Sequence, residues 1–186
     1  MLAIADAMRD GRIAGACVAV VVSDRAEAQG LAHARERGIE AVAIERRGRT
    51  REEHEHEIIA ALRVSEVELV CLGGFMRLLS PQFVEAYRGR ILNIHPSLLP
   101  AFPGLNAQRQ TIEYGAKWSG CTVHFVDETL DGGPIIAQRI VPVYDDDTEE
   151  TLSARILAEE HQAYLEAVAR VVSGNYELVG RRIISR

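Results

Sequence analysis

A chain of 186 residues fits one domain by size, and a hydrophobic share of 47% is ample for a core. The net charge of −6 gives no global positive field for phosphate backbones or anionic membrane surfaces, and no apolar run reaches the roughly 18 residues of a membrane helix. No nucleic acid and no membrane are therefore expected as main partners, and the lack of a signal-peptide pattern near Met1 predicts a cytoplasmic location.

In chain order, residues 2–9 have a helical pattern closed by Gly11, and 16–22 form a near-continuous β-branched run, as in a strand buried on both faces. Asp24 is placed to cap a helix reaching residue 37, Gly38 ends it, and 40–44 is a second short strand. Thr50-Arg51-Glu52-Glu53 matches a capping box and predicts a helix over 51–63, followed by a strand over 67–72. Ser80-Pro81 opens a short helix to residue 87, and 90–94 is the next strand. A helix over 106–115 then precedes two strands, 120–126 and 135–143, which bracket Asp131-Gly132-Gly133-Pro134 as a hairpin with a functional loop. Asp147-Thr148-Glu149-Glu150 reads as a second capping box for one long helix to residue 172, and 176–184 as a terminal hairpin. The alternation predicts an α/β fold, a Rossmann-like and mostly parallel sheet with flanking helices and a C-terminal antiparallel hairpin, in one domain over 1–186. Cys17, Cys71 and Cys121 are odd in number, far apart and set in apolar strand-like runs, so buried reduced thiols are expected.

The chemistry concentrates at Asn93-Ile94-His95. Side chains two apart on a strand share a face, so Asn93 and His95 can address one carbonyl while Ile94 points into the core. An amide N–H stabilises a developing oxyanion, an imidazole moves protons near neutral pH, and a carboxylate holds that imidazole's tautomer; Asp131 is the candidate for the third role. The loop Gly73-Gly74-Phe75-Met76-Arg77 follows a strand at its carboxyl end, where α/β sheets place ligands. His54-Glu55-His56-Glu57 has the look of a metal motif, but residues two apart do not share a helix face and no third ligand follows at metal spacing. A solvated helix face and no metal are expected there.

The strings GGFMRLLSPQFV (73–84), GRILNIHPSLLPAFPGLNAQRQ (89–110), GCTVHFVDETLDGGPIIAQ (120–138) and EEHQAY (159–164) together resemble the phosphoribosylglycinamide formyltransferase family, folate-dependent enzymes of purine synthesis. The resemblance covers almost the whole chain. It implies transfer of a formyl group from 10-formyltetrahydrofolate, as co-substrate, to the primary amine of glycinamide ribonucleotide, with Asn93, His95 and Asp131 as the catalytic trio. It also implies that Arg51, Met76, Arg77, Leu78 and Leu79, joined by Asn93, contact the folate, and that Glu160 holds the amine side of the substrate. Without the resemblance, Arg51 reads as a solvated first-turn arginine, and Met76, Leu78 and Leu79 read as core. His124 matches a family histidine near the site and reads equally as a structural histidine; His33 and His161 read as structural or exposed.

The family begins with a buried strand and a Gly-rich turn whose N–H groups receive the substrate phosphate. Met1 aligns with the helix after that turn, so the expectation is an N-terminally truncated domain, with the first strand and phosphate loop missing, weak ribonucleotide binding and poor turnover. Loss of a central strand would remove ladder partners from the strands around residues 18–22 and 67–72, and a homodimer stays open. Two alternatives are carried: a related formyltetrahydrofolate hydrolase or methionyl-tRNA formyltransferase, disfavoured by length and acidic charge, and a non-catalytic folate-binding remnant.

Overall fold

The sheet of this protein comes in two pieces in the computed structural model, which describes residues 2–75 and 77–186. The first is a parallel pair, β1 (Val20–Ser23) and β2 (Glu40–Ala43), with Val20 opposite Glu40 and Ser23 opposite Ala43. The second contains β3 (Val70–Cys71), β4 (Ile91–His95), β5 (Trp118–Phe125), β6 (Ile135–Pro142), β7 (Tyr176–Val179) and β8 (Arg182–Ser185), in the order β3-β4-β5-β6-β8-β7. β3 runs parallel to β4, β5 runs antiparallel to both of its neighbours β4 and β6, and the final hairpin joins β6 through a parallel contact. The N-terminal side of the sheet is thus parallel and the C-terminal side mixed.

Among the described residues six helices flank these strands: α1 (Leu2–Arg9), α2 (Gln29–Glu36), α3 (Arg51–Val64), α4 (Pro81–Ala86), α5 (Ala107–Tyr114) and α6 (Glu149–Ser173). The core divides by face. Leu92, Cys121, Val123 and Phe125 pack with Ile4 and Ala7 of α1 and with Ile156, Ala163 and Val168 of α6. Val70 and Ile91 pack with Ile59 and Leu62 of α3 and with Phe83 of α4 on the other face. Neighbours Ile91 and Leu92 therefore belong to opposite layers, as the two-residue strand period requires.

Several boundaries differ from the sequence reading for identifiable reasons. The strand expected over 16–22 is Val20–Ser23, and that over 67–72 is Val70–Cys71, because among the described residues each has a ladder neighbour on one side only. The second helix begins at Gln29, since Asp24 does not cap it; its carboxylate is paired with Arg77 at 3.1 Å. Thr50 forms its capping box with Glu53 as expected, whereas the second box is Thr148 with Thr151, which leaves Asp147 to hold Arg155. Of the cysteines only Cys121 is buried; Cys17 and Cys71 are exposed beside the interruption in the sheet. The expected solvated face at 54–57 is also corrected. His54 is buried with Nε2 2.6 Å from the Ile44 carbonyl, and buried Glu55 accepts the Ser80 N–H at 2.9 Å, so both tie α3 to its neighbours while His56 and Glu57 stay exposed. Among the described residues no helix is long and apolar enough to cross a membrane.

Candidate active site

β4 delivers Asn93 and His95 side by side, and its antiparallel register with β5 places His124 directly opposite Asn93 and Thr122 opposite His95. Directly opposed side chains in such a pair are close enough to interact. The Asn93 Nδ2 lies 3.4 Å from His124 Nε2, and His124 Nδ1 lies 2.8 Å from the Phe125 carbonyl. Burial lowers the pKa of His124, against an opposing pull from its bond to the Phe125 carbonyl and from Asp131. A neutral ring that donates from Nδ1 accepts at Nε2, so it takes one Asn93 N–H and fixes which end of the amide is which.

Asp131 arrives from the loop between β5 and β6 in the left-handed region, φ 48°, which a short polar side chain tolerates. Gly133 makes that approach possible, because a Cβ there would lie 1.8 Å from the Phe125 carbonyl oxygen. The Asp131 Oδ2 ends 3.3 Å from His95 Nδ1 and accepts the Gly104 N–H at 2.8 Å, while Oδ1 is 3.7 Å from His124 Nε2. His95 Nε2 is 2.8 Å from the Phe102 carbonyl. Both ring nitrogens of the buried His95 thus face acceptors, and only the imidazolium donates from both. The loop supplying Phe102 is pinned from below: Thr122 Oγ1 donates to the Ser97 carbonyl and accepts the Leu99 N–H, and Gln138 Nε2 reaches the Leu99 carbonyl.

The other residues singled out in the sequence are placed less tightly. Arg51 is exposed at the start of α3 and pairs with Glu52 at 3.0 Å, as a solvated arginine does. Arg77 pairs with Asp24 and lies 5.3 Å from the centre of the Phe75 ring. Leu78 is 57% exposed and so is no core residue, whereas Leu79 packs against the α3–α4 layer; Met76 lies outside the described residues. Glu160 is half-buried on α6, and burial raises its pKa. Among the described residues neither Arg51 nor Glu160 is hydrogen-bonded or ion-paired to Asn93, His95 or Asp131. No group of three metal-ligating side chains occurs among the described residues. Sequence reasoning underrated His124, whose strand partner becomes known only from the register, and it could not reveal the Phe102 carbonyl or the Gly104 N–H.

The formyl transferase family model matches residues 1–168, and the chain belongs to that family. Among proteins similar to it, phosphoribosylglycinamide formyltransferase of Escherichia coli (strain K12) is 42% identical over 177 residues, which are 95% of this chain and 83% of that one. The crystal structure of glycinamide ribonucleotide transformylase 1 from Symbiobacterium toebii superposes with a TM-score of 0.94 at 49% identity, over 98% of this chain and 86% of the other. The trifunctional purine biosynthetic protein adenosine-3 of Drosophila melanogaster is 46% identical over 174 residues, and there the chain spans 13% of the relative's length.

Proposed function

We propose that this protein transfers the formyl group of 10-formyltetrahydrofolate to the primary amine of glycinamide ribonucleotide, a step of purine synthesis. The observation that carries the proposal is the convergence of Asn93, His95 and Asp131, with 3.3 Å between Asp131 and His95, in a chain of the formyl transferase family. In this reading the amine attacks the formyl carbon, and negative charge gathers on the formyl oxygen. Asn93 has one N–H directed to His124 and a second to offer that oxygen, while His95, held between Asp131 and the Phe102 carbonyl, stabilises the charge electrostatically. The carbon–nitrogen bond to folate then breaks as a proton passes from the attacking amine to the leaving nitrogen.

The folate would lie along the loop after β3, with exposed Leu78 and half-buried Leu79 as apolar contacts and Arg77 and Arg51 as its cationic neighbours; Met76 belongs to the same stretch of sequence. Glu160 would receive the ammonium or amine end of the ribonucleotide. Its raised pKa suits a carboxyl waiting in a half-buried site for a basic partner. A formyl-transfer assay with both substrates tests the proposal. Turnover of glycinamide ribonucleotide is expected, and His95→Asn should lower kcat by about 10²–10⁴-fold with folate affinity largely kept. Formyl release to water alone, with no formylated ribonucleotide, would refute the proposed acceptor.

A further inference from the structure

The buried carboxyl of Glu55 has no part in the chemistry proposed above, yet it joins the two segments that would line the folate. Along α3, Arg51, Glu55, Ile59 and Leu62 follow one another on one helix face. Ile59 and Leu62 sit in the apolar layer with Val70 and Phe83, Arg51 lies at the exposed rim, and Glu55 between them is only 3% exposed. Burying a carboxyl is costly unless a hydrogen bond meets it, and here the N–H of buried Ser80 donates to Glu55 Oε2 at 2.9 Å. Neither helix needs this bond for its own start. α3 begins on the Thr50–Glu53 capping box, and α4 on the Ser80 hydroxyl, which accepts the Phe83 N–H at 3.2 Å. The bond is therefore a link between elements, from the second turn of α3 to the residue that directly follows Arg77, Leu78 and Leu79.

We propose that Glu55 is a positioning residue for the folate co-substrate, holding the loop of Arg77, Leu78 and Leu79 at a set distance from the Arg51 turn of α3, a role that rests on the folate placement given under the proposed function. Among the described residues the other ties of that loop fix it less well. Leu78 is exposed, Leu79 packs on the α3–α4 layer through apolar contacts that set no direction, and Arg77 meets a partly exposed Asp24 at 3.1 Å on the surface. The Ser80 N–H is directional, so its acceptor fixes where the chain leaves the loop. Without that acceptor the N–H is left buried and unpaired, and the segment ahead of Ser80 can turn it to water only by moving off α3. Such a movement changes the gap between Leu79 and Arg51. It leaves Asn93 and His95 on β4, Asp131 between β5 and β6, and Glu160 on α6 where they are, so the folate half of the site alone should respond.

Steady-state kinetics and calorimetric titration with tetrahydrofolate test this on the full chain, with the variants Glu55→Met and Glu55→Gln. Methionine keeps the length and helix propensity of glutamate but offers no strong acceptor, whereas the glutamine amide oxygen can still take the Ser80 N–H. Glu55→Met should raise the folate KM and weaken tetrahydrofolate binding about tenfold, the factor that goes with one ordinary hydrogen bond, with kcat and the ribonucleotide KM within about twofold of wild type. Glu55→Gln should bring both folate values back to within about threefold. Glu55→Ala gives the same readout should the methionine variant not fold. Unchanged folate affinity without the acceptor overturns the proposal. An equal rise of both KM values also overturns it, by showing a general loosening of the fold, as does a glutamine variant as weak as the methionine one. A wild-type chain that binds no tetrahydrofolate is a different result, which removes the folate placement itself.

Discussion

His124 acts on the site through another residue. Its neutral ring is what orients the Asn93 amide, and the cost of charging it in the buried position has a direct consequence for stability. A depressed histidine pKa means that the unfolded chain takes up its proton first, near pH 6.5, so this contribution is complete above that pH and is lost as the pH falls below it. His124→Phe should flatten the acid side of the stability curve relative to wild type, and should lower kcat by about tenfold while the folate KM changes little; thermal melts across pH 4–8 and steady-state kinetics check the two halves. Gly133 is the second residue on which the geometry turns. Gly133→Ala would force the loop off the Phe125 carbonyl, at about 1–3 kcal/mol in stability, and would withdraw Asp131 from His95. Denaturant unfolding and a turnover assay would show both losses together. A change in neither would mean that the loop reaches its place by another route.

α6 shows how an element is anchored at its entry. Asp147 lies just ahead of the Thr148 cap, and its oxygens meet Arg155 Nη1 and Nη2, each at 2.8 Å, with the Tyr144 N–H also at 2.8 Å. Hydrogen bonding from Arg155 is the main cause that holds the Asp147 carboxyl well below the usual carboxylate range. A depressed carboxylate pKa stabilises the fold above the unfolded value of about 3.9 and ceases to do so as the pH falls through the folded value. Asp147→Asn should therefore be less stable than wild type at neutral pH, with the difference shrinking in acid; melts at pH 7 and pH 3 decide it. Further along the helix the Tyr164 hydroxyl reaches the Leu72 and Leu92 carbonyls at 2.7 and 3.1 Å, tying α6 to the ends of β3 and β4. The entry of α3 was legible in the sequence, since Thr50 and Glu53 lie within one turn, whereas Arg155 meets Asp147 from beyond the first turn of α6 and the partners of Tyr164 lie on other elements.

For the molecule as a whole, the divided sheet sets the order of stability. β5 is bonded on both sides and buried over nearly its whole length, while β1 has one short partner. The amides of Val21 and Ser23 should exchange at least about a hundredfold faster than those of Thr122 and Val123, and comparable protection would show that the two pieces open as one. The sequence by itself determined the element types, the pairing of Asn93 with His95 on one strand face, and the family motifs, because all of these depend on local spacing or on contiguous strings. Tertiary structure alone decided that Asp131 stands 3.3 Å from His95, that His124 faces Asn93, and that the Phe102 carbonyl and the Gly104 N–H complete the polar shell. It also decided that His54 and Glu55 are buried and that Cys17 and Cys71 are not. The physical reason is common to these cases: burial and hydrogen-bond partnership depend on what lies across a strand or a loop, and one-dimensional periodicity records only which way a side chain points.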